Sequence, residues 1–137
     1  MKKALLIIDH GSKLQAANDM IFDVVSALRK RLPHYIVHGA HMELASPNIL
    51  DGFQACHNDG ATYITVIPFM LSPGRHSTED IPNLCADAAK KTGDIHYCVT
   101  SHFGEHSLVS EILAQKALEC PHANQENCPK CQNRNIQ

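Results

Sequence analysis

Residues 3–32 read KALLIIDHGSKLQAANDMIFDVVSALRKRL, and this stretch decides the fold. It opens on an unbroken apolar run, Ala4 to Ile8, of the kind a strand shows when both of its faces are buried. After the polar break Asp9-His10-Gly11-Ser12, the apolar positions Leu14, Ala17, Ile21, Val24, Val25, Leu28 and Leu32 recur on one helical stripe. The spacing predicts a strand over Lys3–Ile8 and a helix over Leu14–Leu32, with Ser12 and Gln15 as its capping box. A buried strand followed by an amphipathic helix is the first half of a β-α-β unit.

The alternation continues along the chain. Tyr35–His41 reads as a second strand, and Ser46-Pro47 opens a second helix, as cap and first-turn proline, that stops before Gly60. Thr62–Phe69, TYITVIPF, is rich in β-branched residues and reads as the third strand. Thr78–Lys91 reads as a helix with Ile81, Leu84, Cys85 and Ala88 inward, and Ile95–Thr100 as the fourth strand. Ser107–Leu118 completes the pattern, with Leu108, Ile112 and Leu113 on one side. Four strand–helix repeats predict an α/β domain over residues 1–118: a single open, parallel four-stranded sheet with helices on both faces. From Glu119 the periodicity stops, and 119–137 reads as an irregular polar tail carrying Cys and His.

Composition narrows the function. With 44% apolar and 19% charged residues in 137, the chain can build a real core, which excludes wholesale disorder. No apolar run approaches the ~18 residues of a membrane span. The run after Met1-Lys2-Lys3 is also shorter than the roughly 7–15 residues of a signal-peptide core, so a cytoplasmic protein is expected. Twelve basic against fourteen acidic residues, a net charge of −2, argue against nucleic-acid binding through a basic surface. In that compartment six cysteines read as thiols or metal ligands, not disulfides. Cys56, Cys85 and Cys98 fall inside helix or strand patterns and are expected to be small buried residues. Ten histidines direct attention to metal or proton chemistry.

In an open parallel sheet, ligands bind beyond the carboxyl ends of the strands. The first strand ends at Asp9-His10-Gly11-Ser12 and the second at His41-Met42-Glu43. The third runs out to Gly74-Arg75-His76, and the fourth ends at Ser101-His102. A His or Glu therefore stands at every strand mouth. Asp9 is positioned to orient His10 or to cap its loop, and His41 is the least surface-like of the other histidines. Imidazoles and a carboxylate around an open cavity suit a divalent transition metal held transiently, whereas a structural zinc more often closes on four ligands.

Three segments carry a resemblance: LLIIDHGS at 5–12, MELASP at 42–47, and IPFMLSPGRH at 67–76 followed by Asp80-Ile81-Pro82. Together they resemble the class II tetrapyrrole chelatases, most closely the small single-domain sirohydrochlorin cobaltochelatase or ferrochelatase type. The resemblance implies ATP-independent insertion of Co2+, Fe2+ or Ni2+ into sirohydrochlorin, feeding sirohaem or cobalamin-type products. It implies that His10 and His76 handle metal and accept protons, that Glu43 is their acid–base partner, and that two copies pair as a homodimer around the tetrapyrrole.

The residues are consistent with that chemistry. Neutral imidazoles hold a metal weakly and accept pyrrole protons near neutral pH, and a carboxylate passes them on. The substrate's eight carboxylates need local donors, for which Ser12, Lys13 and Arg75 are the candidates. In the tail, Cys120, His122, Cys128 and Cys131 have the spacing of a metal knuckle, and their chemistry suits Zn2+ or an iron–sulfur cluster. The alternative is a non-catalytic metal-binding or metal-delivery protein built on the same histidines. A phosphate-handling α/β enzyme is disfavoured because neither glycine-rich fingerprint is present.

Overall fold

The amino-terminal apolar run forms strand β1 (Lys3–Asp9), the second position of a sheet ordered β2-β1-β3-β4. Its neighbours are β2 (Ile36–His41) and β3 (Tyr63–Pro68), and β4 (His96–Val99) lies beyond β3. Every pairing is parallel, as the strand–helix alternation predicts. The computed structural model describes residues 1–74 and 76–120, which fall into two units, Met1–Phe103 and a second beginning at Gly104.

Alternation along β1 serves two cores. Ala4, Leu6 and Ile8 face α2 (Ile49–Asn58) and α3 (Ile81–Lys91), where Phe53, Cys56, Ile81 and Cys85 are fully buried. Leu5 and Ile7 face α1 (Gln15–Arg31), through Val25 and Leu28. Gly52 lets α2 approach closely, since a Cβ there would lie 2.6 Å from Leu6 Cδ1. β1 is thus apolar from Ala4 to Ile8 and turns polar at Asp9.

The helix starts differ from the sequence expectation. The N-cap of α1 is Leu14, with no side-chain cap bond, so Ser12 and Gln15 form no capping box. Ser12 Oγ instead accepts the Leu14 N–H at 3.0 Å. Ser46 and Pro47, joined by a cis bond, precede α2 rather than open it. The cap is Asn48: its Oδ1 accepts the Asp51 N–H at 2.9 Å, and Asp51 Oδ2 accepts the Asn48 N–H at 2.9 Å. A π-helical turn, His76–Asp80, leads into α3.

Four inside–outside expectations also change. Leu14 and Ala17 are exposed while Asn18, on the same helix, is buried. Leu84 is exposed in the first turn of α3, where it lines an open cleft with Glu43 and Asn83. Cys98 is exposed because β4 is an edge strand whose residues alternate outward. In the second unit, α4 (Ser107–Ala117) buries none of its residues, so Leu108, Ile112 and Leu113 are exposed. Helical spacing specifies an amphipathic helix without supplying the surface it packs on.

Candidate active site

The chain leaves β1 for α1 on one face of the sheet and leaves β3 for α3 on the other. Adjacent strands whose connections diverge open a crevice between their carboxyl ends. Phe69 N–H donates to the Ile8 C=O at 2.6 Å at the base of this crevice. Above it lies a cleft of about 280 Å³ lined by Asp9, His10, Ser12, Asn18, Met20 and Phe69. His10, expected at the first strand mouth, is exposed there.

The β1 and β2 exits continue side by side past the sheet. Met42 N–H donates to the Asp9 C=O at 2.9 Å, and Glu43 N–H to the His10 C=O at 3.1 Å. The backbone thereby holds His10 and Glu43 together, although 33 positions separate them in sequence. Gly11 makes this possible. Its φ is +85°, and a Cβ there would fall 1.8 Å from the Glu43 carbonyl oxygen, so no other residue fits without moving that strand exit.

The next segment is gripped from α1. Asn18 Nδ2 donates to the Ser12 C=O at 2.7 Å, and Asn18 Oδ1 accepts the Ser12 N–H at 2.8 Å. The side-chain amide thus satisfies both backbone groups of a loop residue two positions beyond His10. Asn18 is 4% exposed. Sequence reading missed it; the available signal was a polar residue inside an otherwise apolar stripe.

Asp9 does not orient His10. Its Oδ1 accepts from Nδ1 of His41, its register partner on β2, at 2.6 Å. His41 is fully buried, packs edge-on against Phe22 at 5.7 Å, and its Nε2 has no hydrogen-bond partner among the described residues. The carboxylate can only accept here, so Nδ1 carries the proton. His41 is therefore a structural residue anchoring the strand end that presents His10.

The other expected residues are more dispersed. Glu43 is exposed and lines a cleft of about 220 Å³ with Asp80 and Asn83. His102 lines another, of about 380 Å³, with Ser101 and Thr78 beyond β3 and β4. His76 begins the π-helical turn after β3, and Lys13 is exposed beside the His10 loop. Arg75, His122, Cys128 and Cys131 lie outside the described residues, and Cys120 is the last residue within them. Among the described residues, no three His, Cys, Asp or Glu side chains converge on one metal-sized site.

Comparison with known proteins bears on this geometry. The CbiX family model matches residues 4–120. The chloroplastic sirohydrochlorin ferrochelatase of Arabidopsis thaliana is 40% identical over 116 residues, covering 85% of this chain and 52% of that protein. The sirohydrochlorin cobaltochelatase of Methanococcoides burtonii is 27% identical over 126 residues, covering 86% and 96%. The crystal structure of the sirohydrochlorin chelatase SirB from Bacillus subtilis subspecies spizizenii, in complex with cobalt, matches with a TM-score of 0.80 at 28% identity. It covers 88% of this chain and 51% of that one. The chain thus spans about half the length of the Arabidopsis protein and of SirB. A parallel α/β sheet, a histidine at its switch-point crevice and a family match over nearly the whole described chain lead to one conclusion: this chain belongs to the CbiX family.

Proposed function

We propose that this protein is a sirohydrochlorin chelatase, inserting Co2+, Fe2+ or Ni2+ into the macrocycle without ATP. The observation that carries the reading is the backbone link that holds His10 beside Glu43 at the mouth of the crevice. Metallation exchanges two pyrrole N–H protons for one divalent ion. His10, with His76 after β3, receives the metal as a weakly held substrate through a neutral imidazole nitrogen. The imidazoles and Glu43, exposed one strand away, accept the two released protons, and Glu43 passes them on to water. Ser12, Lys13 and Arg75 meet the substrate's carboxylates.

Residues 1–118 make up the chelatase-like domain in this reading, and the active form is a homodimer in the cytoplasm. The four-stranded sheet supports the dimer, because one such domain offers half a cradle for a large macrocycle and a two-fold axis supplies the other half from the same surface. The tail residues Cys120, His122, Cys128 and Cys131 hold Zn2+ or an iron–sulfur cluster, a reading supported by their spacing. Metal content of anaerobically purified protein tests it, and sub-stoichiometric zinc and iron would refute it.

The decisive experiment is anaerobic incubation with sirohydrochlorin and each metal, followed by absorbance. Multiple turnovers are expected. Stoichiometric metal binding without ring metallation would favour a metal-delivery protein instead. His10→Ala and His76→Ala are each expected to abolish turnover, and Glu43→Gln to lower kcat more than it raises KM. Sedimentation of an active monomer at assay concentration would remove the dimer.

A further inference from the structure

Among the described residues of the first unit, the large apolar side chains that remain exposed are Met1, Leu14, Met20, Leu44, Leu71 and Leu84. Scattered exposed leucines are ordinary on a protein surface. These are not scattered: all but Met1 lie at the carboxyl edge of the sheet. Leu14, Leu44 and Leu71 follow β1, β2 and β3, which are adjacent strands. At a strand spacing of about 4.8 Å, their ends span roughly 10 Å. Met20 shares the cleft of His10, and Leu84 that of Glu43.

Leu44 carries a second, independent feature. Its φ is 69°, in the left-handed region that favours glycine, and its side chain is 62% exposed. Within this chain the leucine incurs backbone strain without gaining burial. Strain of this kind persists at binding and catalytic sites. Leu44 also follows Glu43 directly, beside the backbone link to His10.

We propose that Leu44, in a row with Leu14 and Leu71 along the strand ends, is an apolar platform that receives the face of a flat conjugated macrocycle above His10 and Glu43. The inference rests on the chelatase reading and deepens it by naming what holds the ring plane. Metal passing from His10 into a ring requires the ring's face, not its carboxylated rim, to lie against the residues around His10. Apolar side chains suit that face, whereas Lys13 and Arg75 suit the rim.

The test compares Leu44→Gly, Leu44→Asn and Leu44→Met with Asp94→Gly, which relieves the one other left-handed non-glycine φ (58°) among the described residues, outside the strand-end clefts. Binding of metal-free sirohydrochlorin is titrated by absorbance, and Tm, Co2+ affinity without the macrocycle, and sedimentation are measured in parallel. Leu44→Gly and Leu44→Asn are expected to keep or raise Tm and to leave Co2+ affinity unchanged. The same two variants should bind sirohydrochlorin roughly tenfold more weakly. Leu44→Met is expected to retain affinity, and Asp94→Gly to leave it untouched. Unaltered affinity in Leu44→Gly would overturn the platform, and a lower Tm would overturn the strain argument. Loss of a dimer with per-site affinity intact would overturn it in favour of a second copy as the occupant. Wild-type protein that binds no sirohydrochlorin would refute the chelatase reading and this inference together. Wild-type turnover with indifferent Leu44 variants would refute this inference alone.

Discussion

Gly11→Ala isolates the junction between the two strand exits. The new Cβ would start 1.8 Å from the Glu43 carbonyl oxygen, 3.0 Å from its carbon and 3.1 Å from His41 Cβ. Reaching ordinary contact at 3.4 Å moves that carbonyl by about 1.6 Å. The Glu43 N–H bond to the His10 C=O and the Met42 N–H bond to the Asp9 C=O cannot both survive the shift. Each is worth about 1 kcal/mol, and an alanine at φ +85° costs a further ~1–2 kcal/mol. The expected loss is about 3–4 kcal/mol, or roughly 10–15 °C in Tm for a chain of this size. Gly93→Ala is the control: its φ is +68° and nothing lies within 4 Å, so only the left-handed cost applies, about 1–2 kcal/mol. Urea unfolding of the two variants measures the difference. Equal losses would refute the claim that the β1–β2 exit contact, not backbone conformation alone, restricts position 11. In the folded fraction, metallation is expected to fall roughly 100-fold, because a shift above 1 Å misplaces Glu43 against His10.

Asn18→Leu keeps the volume near the original but strips both partners from the Ser12 backbone, and is expected to cost about 1–3 kcal/mol by urea unfolding. It should also lower kcat beyond what the folded fraction explains, and normal kcat in the folded protein would refute the clamp. Burial pushes the Cys56 and Cys85 thiols up to about 12, so a thiol reagent at pH 8 is expected to label Cys98 and leave these two unlabelled until denaturant is added. The same shift sets a stability profile. Folded thiols hold their protons after unfolded ones release theirs near pH 8.5, so stability is full below that point and falls as pH rises toward about 12. The slope is about 1.4 kcal/mol per pH unit for each thiol, and a flat urea midpoint between pH 8 and 10 would contradict it.

The strands and their order along the chain were legible because a parallel sheet buried on both faces writes itself as apolar runs. The sheet's carboxyl edge was legible as a site for the same reason, since the apolar run of β1 gives way to polar residues at Asp9. Periodicity misplaced Leu14, Ala17 and Leu84, the last two of which line the clefts of His10 and Glu43. Spacing rules assume that an apolar residue on the stripe is buried, and at this edge the assumption fails. Asn18 stood out on the stripe as a polar residue, but its partner was illegible, because its two hydrogen bonds go to backbone and leave no trace in the identity of Ser12. The Asp9–His41 pair needed the β1–β2 register, because only that register sets residues 9 and 41 opposite each other. Ser12-Gln15 for α1 and Ser46 for α2 were plausible caps on paper, but the loop geometry leaves α1 without a side-chain cap and gives α2 the Asn48-Asp51 box.

The sheet order also governs when the site comes into existence. β1 lies between β2 and β3, and its pairing with β3 begins where Lys2 meets Thr62, 60 residues later. Such separation makes the central pairing a late and entropically costly event in folding. His10 leaves the ribosome well before β3, yet the crevice in which it lies needs β3, and residue 76 follows further on still. On the chelatase reading, the emerging histidines are expected to act as an open, unselective chelator until the sheet closes. On that same reading, closure of the β1–β3 pair is the step that turns loose affinity into a directed one, and metal added before refolding is expected to slow it.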